Sequence, residues 1–334
     1  MSGVDAIVVA HNHARTLRST ITSLVGQTVR PTRIVVVDNG SADGSVGVIE
    51  DLARTIPLEL YRFHENRGFS AAANEALRHT RAEWVLALNP DCRLAPDFLA
   101  QLVAAASARE QVGAATGLLL RGEGKALSAT ERVDSAGMVV TASGRHLDRA
   151  SGRGMRAPLS RPALVFGASG AAALYRREAV DDVAYPAGEV FDEGFFSYRE
   201  DADLAWRLQR RGWQCLYWPP ARAWHERGLK PEHRRSATPE INRHSVRNRF
   251  LLRWSNADWQ WLAACFPWWL VRDLVVALAC LTVERSSLPG LQEAWALRRQ
   301  QRGRGRANAS RALVSGWRVA RWFLPGGRVR AVRT

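Results

Sequence analysis

In the first hundred residues, two aspartates follow apolar runs, at positions where a carboxylate could bind a ligand. Asp38 follows the β-branched run 34–37, and Asp91 follows an apolar run that ends in Asn89-Pro90. Such runs predict strands of a parallel sheet, whose ligands bind beyond the carboxyl ends of the strands. A carboxylate there can accept hydrogen bonds from a ribose or nucleobase, or hold Mg²⁺ or Mn²⁺ against phosphate oxygens. The alternative for both is an ordinary turn that caps the next helix.

A third group of acids lies further along the chain, with five carboxylates between residues 192 and 203 beside several aromatic residues. Glu200 and Asp201 are predicted to open a helix, and acids in a first helical turn are stabilised by the helix dipole alone. Aromatic neighbours can also raise the proton affinity of a carboxylate, which makes it a usable general base. His225 follows the next strand and could return to the same cleft, although a single histidine is more often structural.

The elements that must position these groups follow from the hydrophobic periodicity. Strands alternate with helices over the first 107 residues, which is typical of βαβ units with a parallel sheet. Beyond residue 113 the pattern predicts strands at 115–120 and 165–175, a loop or hairpin over 137–161, a helix at 197–211 and a strand at 214–218. The predicted elements of the first part are strands at 6–10, 34–37, 58–63 and 84–88, and helices at 17–25, 46–53, 69–79 and 98–107.

Composition separates a nearly neutral body from a basic end. The 334 residues are 46% hydrophobic, which is typical of a globular protein, and carry a net charge of +15. The last fifty residues contain twelve Arg, no Lys and one acid, so they supply +11 of that charge. The four cysteines lack CxxC spacing, which favours a reducing compartment. No basic and apolar leader precedes the first strand, so no secretory signal is expected.

The C-terminal segment is also rich in tryptophan, with eight of thirteen Trp at or beyond Trp254. Residues 261–281 are strongly apolar, but Arg272 and Asp273 make a spanning helix costly. We expect an interfacial or re-entrant helix, the alternative being a helical subdomain packed on the body. The sequence Gly-Arg-Gly-Arg at 303–306 predicts a break between two short helices. An arginine-rich segment prefers anionic surfaces, whether phospholipid or nucleic acid.

Taken together, the motifs resemble the inverting nucleotide-sugar glycosyltransferases of family 2, which have the GT-A fold. The resemblance covers about residues 4–255, and the Asn-Pro-Asp motif is similar to that of the rhamnosyltransferase-like branch. Most family members have Asp-x-Asp there, so Asn89 leaves Asp91 as the single acid. The matching segments are 9–12 (VAHN), 38–45 (DNGSADGS), 66–70 (NRGFS), 89–91 (NPD), 167–171 (GASGA), 176–178 (RRE) and 195–207.

This resemblance implies a fold and a set of residue roles. The fold would be α/β of the GT-A type, a mixed and mainly parallel sheet with flanking helices at 1–240. The Trp- and Arg-rich composition of residues 241–334 predicts that a helical, membrane-associating region follows. Asp201 would be the general base, and Asp91 with His225 would hold Mg²⁺ or Mn²⁺. Ser169, Gly170 and Glu200 would contact the acceptor. The nucleotide sugar would be bound by Val9, Ala10, Asn12, Asp38, Asn66, Arg67, Gly68 and Asn89.

The implied reaction is transfer of a sugar with inversion to a hydroxyl of a lipid-linked or growing cell-surface polysaccharide. The first expectation for the donor is dTDP-rhamnose, and the next is a UDP-hexose or UDP-galactofuranose. The enzyme would lie on the inner face of the cytoplasmic membrane, held by its Trp- and Arg-rich region to anionic lipid. Two alternatives are a sugar-phosphate nucleotidyltransferase, whose Gly-rich loop is missing after the first strand, and a nucleic-acid-binding protein acting through the arginine-rich end.

Overall fold

The computed structural model describes residues 3–227, 238–327 and 329–332. The first part of the chain alternates strands and helices as predicted, because each β-branched run is followed by an amphipathic segment. Its elements are β1 (Val4–Ala10), α1 (Ala14–Val25), β2 (Arg33–Asn39), α2 (Ser45–Ala53), β3 (Glu59–Phe63), α3 (Phe69–Arg78), β4 (Trp84–Leu88), β5 (Cys92–Leu94) and α4 (Phe98–Ser107).

The middle of the chain adds longer and more irregular strands. A short hairpin forms within 137–161, where a loop or hairpin is predicted, and short 3-10 turns occupy 157–160, 186–188 and 193–195. The elements are β6 (Val112–Glu123), β7 (Ser128–Ser135), β8 (Met138–Val140), β9 (His146–Asp148), β10 (Ala163–Val165), β11 (Ala172–Arg176), α5 (Arg177–Val183), α6 (Glu200–Arg211) and β12 (Gln214–His225).

The C-terminal part is helical, and its last short strand returns to the sheet. A cluster of buried hydrophobic residues joins these helices to α6 and includes Phe166, Trp206, Trp261 and Phe323. The elements are α7 (Pro239–Asn256), α8 (Trp259–Ala264), α9 (Trp268–Leu281), α10 (Leu288–Ser310), α11 (Gly316–Ala320) and β13 (Arg330–Ala331), with a 3-10 turn at 285–287.

The large sheet is mixed, with a parallel half built from the N-terminal strands. Its order is β13-β10-β12-β6-β11-β4-β1-β2-β3, with β5 paired to β12 and β7 to β6. Strands β1, β2, β3 and β4 are mutually parallel, and β11 enters antiparallel between β4 and β6. The carboxyl ends of β1, β2 and β4 therefore meet at one edge of the sheet, where Asp38 lies near the end of β2 and Asp91 follows β4. The predicted α/β fold is confirmed.

Both faces of this sheet are covered by helices, so its central strands are buried on both sides. Every residue of β1 is buried. The side chains of α1, α2 and α4 pack on one face, and those of α3, α5 and α6 pack on the other. This arrangement explains the near-continuous apolar runs in the sequence, since a strand covered on both faces has no polar side.

Three predicted elements differ from the structure. The predicted strand at 165–175 is two strands, because residues 166–171 turn away to bring Gly170 beside Asp201. The strand predicted at 214–218 continues to His225 through an irregular pairing with β6 around residues 218–222. The predicted break at 303–306 is wrong, since α10 continues to Ser310.

The glycines of α10 serve close packing instead of a break. A Cβ on Gly305 would lie 2.3 Å from the carbonyl oxygen of Trp254, and one on Gly290 would lie 2.4 Å from that of Arg243. Helices α10 and α7 therefore approach each other too closely for any side chain at these two positions. Glycine inside a helical pattern has this packing use as well as its use as a terminator.

In the described ranges, no helix taken alone combines the length and apolar character that crossing a bilayer requires. Only α9 joined with the helical stretch 285–310 meets both criteria, and these two pieces are bent by 110° relative to each other.

Candidate active site

The tip of β2 carries the first group of predicted binding residues. Asp38 pairs in register with Ala10 of β1 and is 2% exposed. Its Oδ2 accepts a hydrogen bond from the Ser41 backbone amide at 3.2 Å, whereas its Oδ1 has no partner among the described residues. A buried carboxylate oxygen without a partner is costly, so it is well suited to accept a hydrogen bond from a bound hydroxyl or imino group.

Asn39, the next residue, ties the β3–α3 loop to this turn. Its Nδ2 donates to Asn66 Oδ1 at 3.0 Å, and its Oδ1 accepts from the Arg67 amide at 2.9 Å. Asn66 Oδ1 also accepts from the Gly68 amide at 2.9 Å. The structure thus brings Asn66, Arg67 and Gly68 to Asp38, as predicted, through a buried side chain that the sequence analysis did not identify.

The β1–α1 loop joins the same group through Asn12. Asn12 Oδ1 accepts from the Ala42 amide at 2.8 Å, and the Asn12 amide donates to Ser41 Oγ at 3.0 Å. Asn12 has a left-handed backbone conformation with φ of 58°, which asparagine tolerates better than most residues. Val9 and Ala10 are buried in β1 immediately before this loop. Three strand tips therefore form one hydrogen-bonded rim.

The tip of β4 carries the second group, centred on Asp91. The Asn89 amide donates to the carbonyl of Ala171 at 3.0 Å, which places Asn89 beside the loop before β11. Asp91 Oδ1 lies 3.3 Å from His225 Nε2, and Asp91 Oδ2 lies 3.8 Å from His13 Nε2. Burial acts to raise the pKa of Asp91, but the two histidines outweigh it and lower this pKa overall.

His225 is shared between Asp91 and a carboxylate that the sequence analysis missed. Its Nδ1 lies 2.8 Å from Asp134 Oδ2, on β7. Burial acts to lower the pKa of His225, but the two carboxylates raise it to about 10, so the ring is held as a cation. A metal ligand must be a neutral imidazole, so a ligand role would require this proton to leave. That role for His225 stays a prediction.

An ionic network continues from Asp134 toward the third group of acids. Arg227 donates to Asp134 Oδ1 at 2.6 Å and to Asp148 Oδ2 at 2.5 Å. Burial acts to raise the pKa of Asp134, yet His225 and Arg227 lower it to about 2. Arg227 thus links Asp134, the partner of His225, to Asp148.

The buried acids of this network are compatible with a divalent cation, although the protein would supply few ligands. No group of three or more His, Cys, Asp or Glu side chains within residues 3–227, 238–327 and 329–332 is arranged to hold a metal ion. Mg²⁺ is commonly bound by one or two carboxylates with substrate phosphates and water. Asp91 fits that mode, because its Oδ1 makes no well-formed hydrogen bond within the described residues.

The third group is the start of α6. Asp201 Oδ2 accepts a hydrogen bond from the Gly170 backbone amide at 3.3 Å, and Asp201 Oδ1 accepts one from the backbone amide of Ala202, the next residue in α6. Ser169 is buried in the same loop as Gly170. The structure therefore places the predicted base against the predicted acceptor-side loop.

Burial raises the pKa of Asp201 to about 6, with a further contribution from the charge of Asp148. Burial and the charge of Asp201 raise the pKa of Glu200 still further. Two adjacent carboxyl groups cannot both ionise easily, and the backbone amides of Gly170 and Ala202, which donate to Asp201, favour ionisation of Asp201. A carboxylate with a pKa near 6 is a stronger base than an exposed aspartate and is still ionised at pH 7.

The backbone that leads into α6 is strained. Phe196, Tyr198 and Arg199 have φ values of 63°, 72° and 76°, in the left-handed region that costs a non-glycine residue of order 1 kcal/mol or more. The Phe196 carbonyl approaches the start of α3 so closely that a Cβ on Gly68 would lie 2.5 Å from it. Gly68 has φ of 83°, so both its backbone conformation and its surroundings require glycine.

Helix α7 holds this strained loop from the other side. Nδ2 of the fully buried Asn248 lies 2.9, 2.8 and 2.8 Å from the carbonyl oxygens of Phe195, Ser197 and Tyr198, which share its two N–H donors. Arg247 Nη2 donates to the Phe195 carbonyl at 2.6 Å. Asn248 could not be predicted from the sequence, since a single asparagine in a helix carries no local signal of a partner fifty residues away.

Replacing Asn248 by alanine is expected to lower kcat by about tenfold or more while KM changes little. The loop would lose the donor that orients its carbonyls, and Asp201 would lose its fixed position. The free energy of unfolding should fall by about 2–3 kcal/mol, because buried carbonyls become unpaired. Steady-state kinetics and thermal denaturation measure both effects.

Asn242→Ala is the matched control, because Asn242 lies in the first turn of the same helix and takes no part in the described hydrogen bonds to the loop. A variant N248A with wild-type kcat would show that the loop keeps its conformation without this side chain.

Comparison with known proteins bears on the family and the fold of the chain. Residues 5–184 match the family model of glycosyl transferase family 2. N-acetylglucosaminyl-diphospho-decaprenol L-rhamnosyltransferase of Mycobacterium tuberculosis is 27% identical over 280 aligned residues, which cover 75% of this chain and 88% of that protein.

Solved structures show the same fold at low identity. The structure of GalNAc-T7 with UDP, GalNAc and Mn²⁺ has a TM-score of 0.60 at 16% identity, covering 79% of this chain. This chain spans half the length of that one. The mannosyltransferase PcManGT of Pyrobaculum calidifontis, with GDP-Man and Mn²⁺, has a TM-score of 0.55 at 18% identity, covering 96% of this chain and 86% of its own.

Proposed function

Because the chain belongs to glycosyl transferase family 2, we propose that it transfers L-rhamnose from dTDP-rhamnose to a hydroxyl of a lipid-linked acceptor. The observation that carries the donor sugar and the acceptor class is the similarity to the mycobacterial L-rhamnosyltransferase, which extends over most of both chains. The Asn-Pro-Asp sequence at 89–91 supports the same donor, since it is similar to the motif of the rhamnosyltransferase-like branch.

The proposed reaction needs one base and a stabilised leaving group. Asp201 accepts the proton of the acceptor hydroxyl while the hydroxyl oxygen bonds to the anomeric carbon and the bond to the diphosphate breaks on the opposite face. The configuration at the anomeric carbon is thereby inverted. No second carboxylate is required as a nucleophile, unlike in retaining glycosidases. The rim around Asp38 and Asn66 binds the nucleoside part of the donor. A divalent cation held at Asp91 would neutralise charge on the departing diphosphate.

The donor is identified by thermal denaturation with nucleoside diphosphates and either Mg²⁺ or Mn²⁺, followed by transfer assays with the matching nucleotide sugars. A ligand that binds only the folded state raises Tm by mass action. We expect dTDP to give the largest shift, and dTDP-rhamnose to be the donor for a short polyprenyl-diphosphate-linked sugar acceptor.

A larger shift with UDP, and transfer from a UDP-hexose or UDP-galactofuranose only, would contradict the rhamnosyl assignment. This second candidate has its own support in the likeness to GalNAc-T7, whose structure contains UDP. Binding of no nucleotide at all would contradict both candidates.

A further inference from the structure

Helix α9 exposes a wide, uncharged apolar face. The six residues of this face recur at helical spacing and are each 50–62% exposed, far more than is usual for a tryptophan or leucine. Phe266 before the helix and Val283 after it extend the same apolar character, at 55% and 83% exposure. The α9 face, as we call it, consists of Trp268, Val271, Leu274, Val275, Leu278 and Leu281.

The opposite side of α9 is fixed to the body by polar contacts. Asp273 accepts from Arg249 Nε at 3.0 Å and from Arg253, both on α7. Trp269 donates from Nε1 to the Leu262 carbonyl at 2.9 Å, and Cys280 is buried. Asp273 is one of the two charges that make a spanning helix costly. Its side chain thus points inward to two arginines. This anchoring leaves the α9 face outermost and presents it as a rigid surface.

Charge decides between the candidate occupants of this surface. The last fifty residues carry twelve arginines against one acid, and the whole chain carries +15. A second copy of the chain would bring the same positive charge to the contact, whereas an anionic lipid surface would be attracted to it. Exposed arginines such as Arg285, Arg299 and Arg306 stand on the segments that follow α9.

Length and composition favour a helix that lies in the interface over one that crosses it. The fourteen residues of α9 extend about 21 Å, short of the ~30 Å hydrocarbon core. Trp268 stands at one end of the face, and tryptophan prefers the boundary between lipid and water. We infer that the α9 face inserts shallowly into the surface of an anionic phospholipid bilayer, with the arginines of the C-terminal segment contacting lipid phosphates.

This inference rests on the proposed function in one respect, because a lipid-linked acceptor would be presented at the same surface. Its own basis is the α9 face and the charge of the segment.

The test is cosedimentation of the full-length protein with vesicles of phosphatidylcholine, alone or mixed with phosphatidylglycerol, at low salt. The wild-type protein should bind the mixed vesicles and bind the neutral ones much more weakly. The double variant L274Q/L278Q should lower the association constant for the mixed vesicles by at least about tenfold, because it replaces two apolar side chains of the α9 face by polar ones. M155Q is the matched control, because Met155 is an exposed apolar residue outside this region.

Each outcome is decisive for the inference. Equal vesicle binding by wild type and L274Q/L278Q overturns it, as does wild-type binding to neither vesicle. A dimer in sedimentation velocity that the double variant abolishes would assign the face to a second copy, and binding to oligonucleotides but not vesicles would assign the arginines to nucleic acid. Transfer from a soluble donor is assayed separately, so vesicle binding without any glycosyl transfer would contradict the proposed function alone.

Discussion

Asp201→Asn is expected to lower kcat by about 10³-fold while the nucleotide still stabilises the protein. Asparagine has nearly the same shape but cannot accept the acceptor's proton. In the wild-type enzyme, kcat/KM should fall about tenfold per pH unit below pH 6, because burial raises the pKa of Asp201 to about 6 and only the ionised form is a base. Pre-steady-state and steady-state transfer assays across pH give both quantities.

Glu200→Gln is the informative companion to D201N. Glu200 is predicted to contact the acceptor and not to take its proton, so its replacement should alter the KM for the acceptor more than kcat. Asp181→Asn, on an exposed position of α5, controls for the loss of one carboxylate. If E200Q were inactive and D201N active, the assignment of the base would be reversed.

Asp91→Asn is expected to lower kcat/KM by about 10²–10³-fold and to abolish the metal dependence of nucleotide binding. In the wild-type protein, a nucleoside diphosphate should raise Tm only when Mg²⁺ or Mn²⁺ is present. In D91N, the site would lose the single acid at the tip of β4, so adding the metal should no longer change the shift. Thermal denaturation with and without the metal measures this without any need for turnover.

Asp51→Asn is the control for D91N, because Asp51 is exposed and pairs only at the surface with Arg18 and Arg54. A metal-dependent shift that survives in D91N would place the cation elsewhere and exclude Asp91 as its ligand.

Much of the fold could be predicted from local patterns in the sequence. The run 34–37 is β-branched because β2 is buried on both faces, and Asp38 follows this run one residue before the strand ends at Asn39. The same reasoning places Asp91 after β4. Since parallel strands present their carboxyl ends at one edge, the two acids could be assigned to one edge of the sheet without coordinates.

The partners of these acids could not be predicted, because they are distant in sequence. Asp134 meets His225 across 91 residues, and Asn248 meets the loop at 195–198 across about 50. Neither residue belongs to a local pattern, so only the packing of α7 and β7 reveals them. The chain turn at 166–171 was missed for a similar reason, since its cause is the approach of Gly170 to Asp201.

Glycines show how the same residue type can mislead. Gly303 and Gly305 suggest a helix break from composition alone, yet α10 runs through both, and Gly305 allows contact with the backbone of α7. The local propensity of glycine is a weak preference of about 1 kcal/mol, which close helix packing outweighs.

Helix α7 limits how this chain can diverge. Asn248 fixes the loop before the base, and the very next residue, Arg249, holds α9 through Asp273. One residue inserted upstream in α7 would rotate both side chains about the helix axis by about 100°. Both contacts would then be lost together. The loop before Asp201 and helix α9 therefore depend on the same helical register of α7, so a change in that register would disturb both.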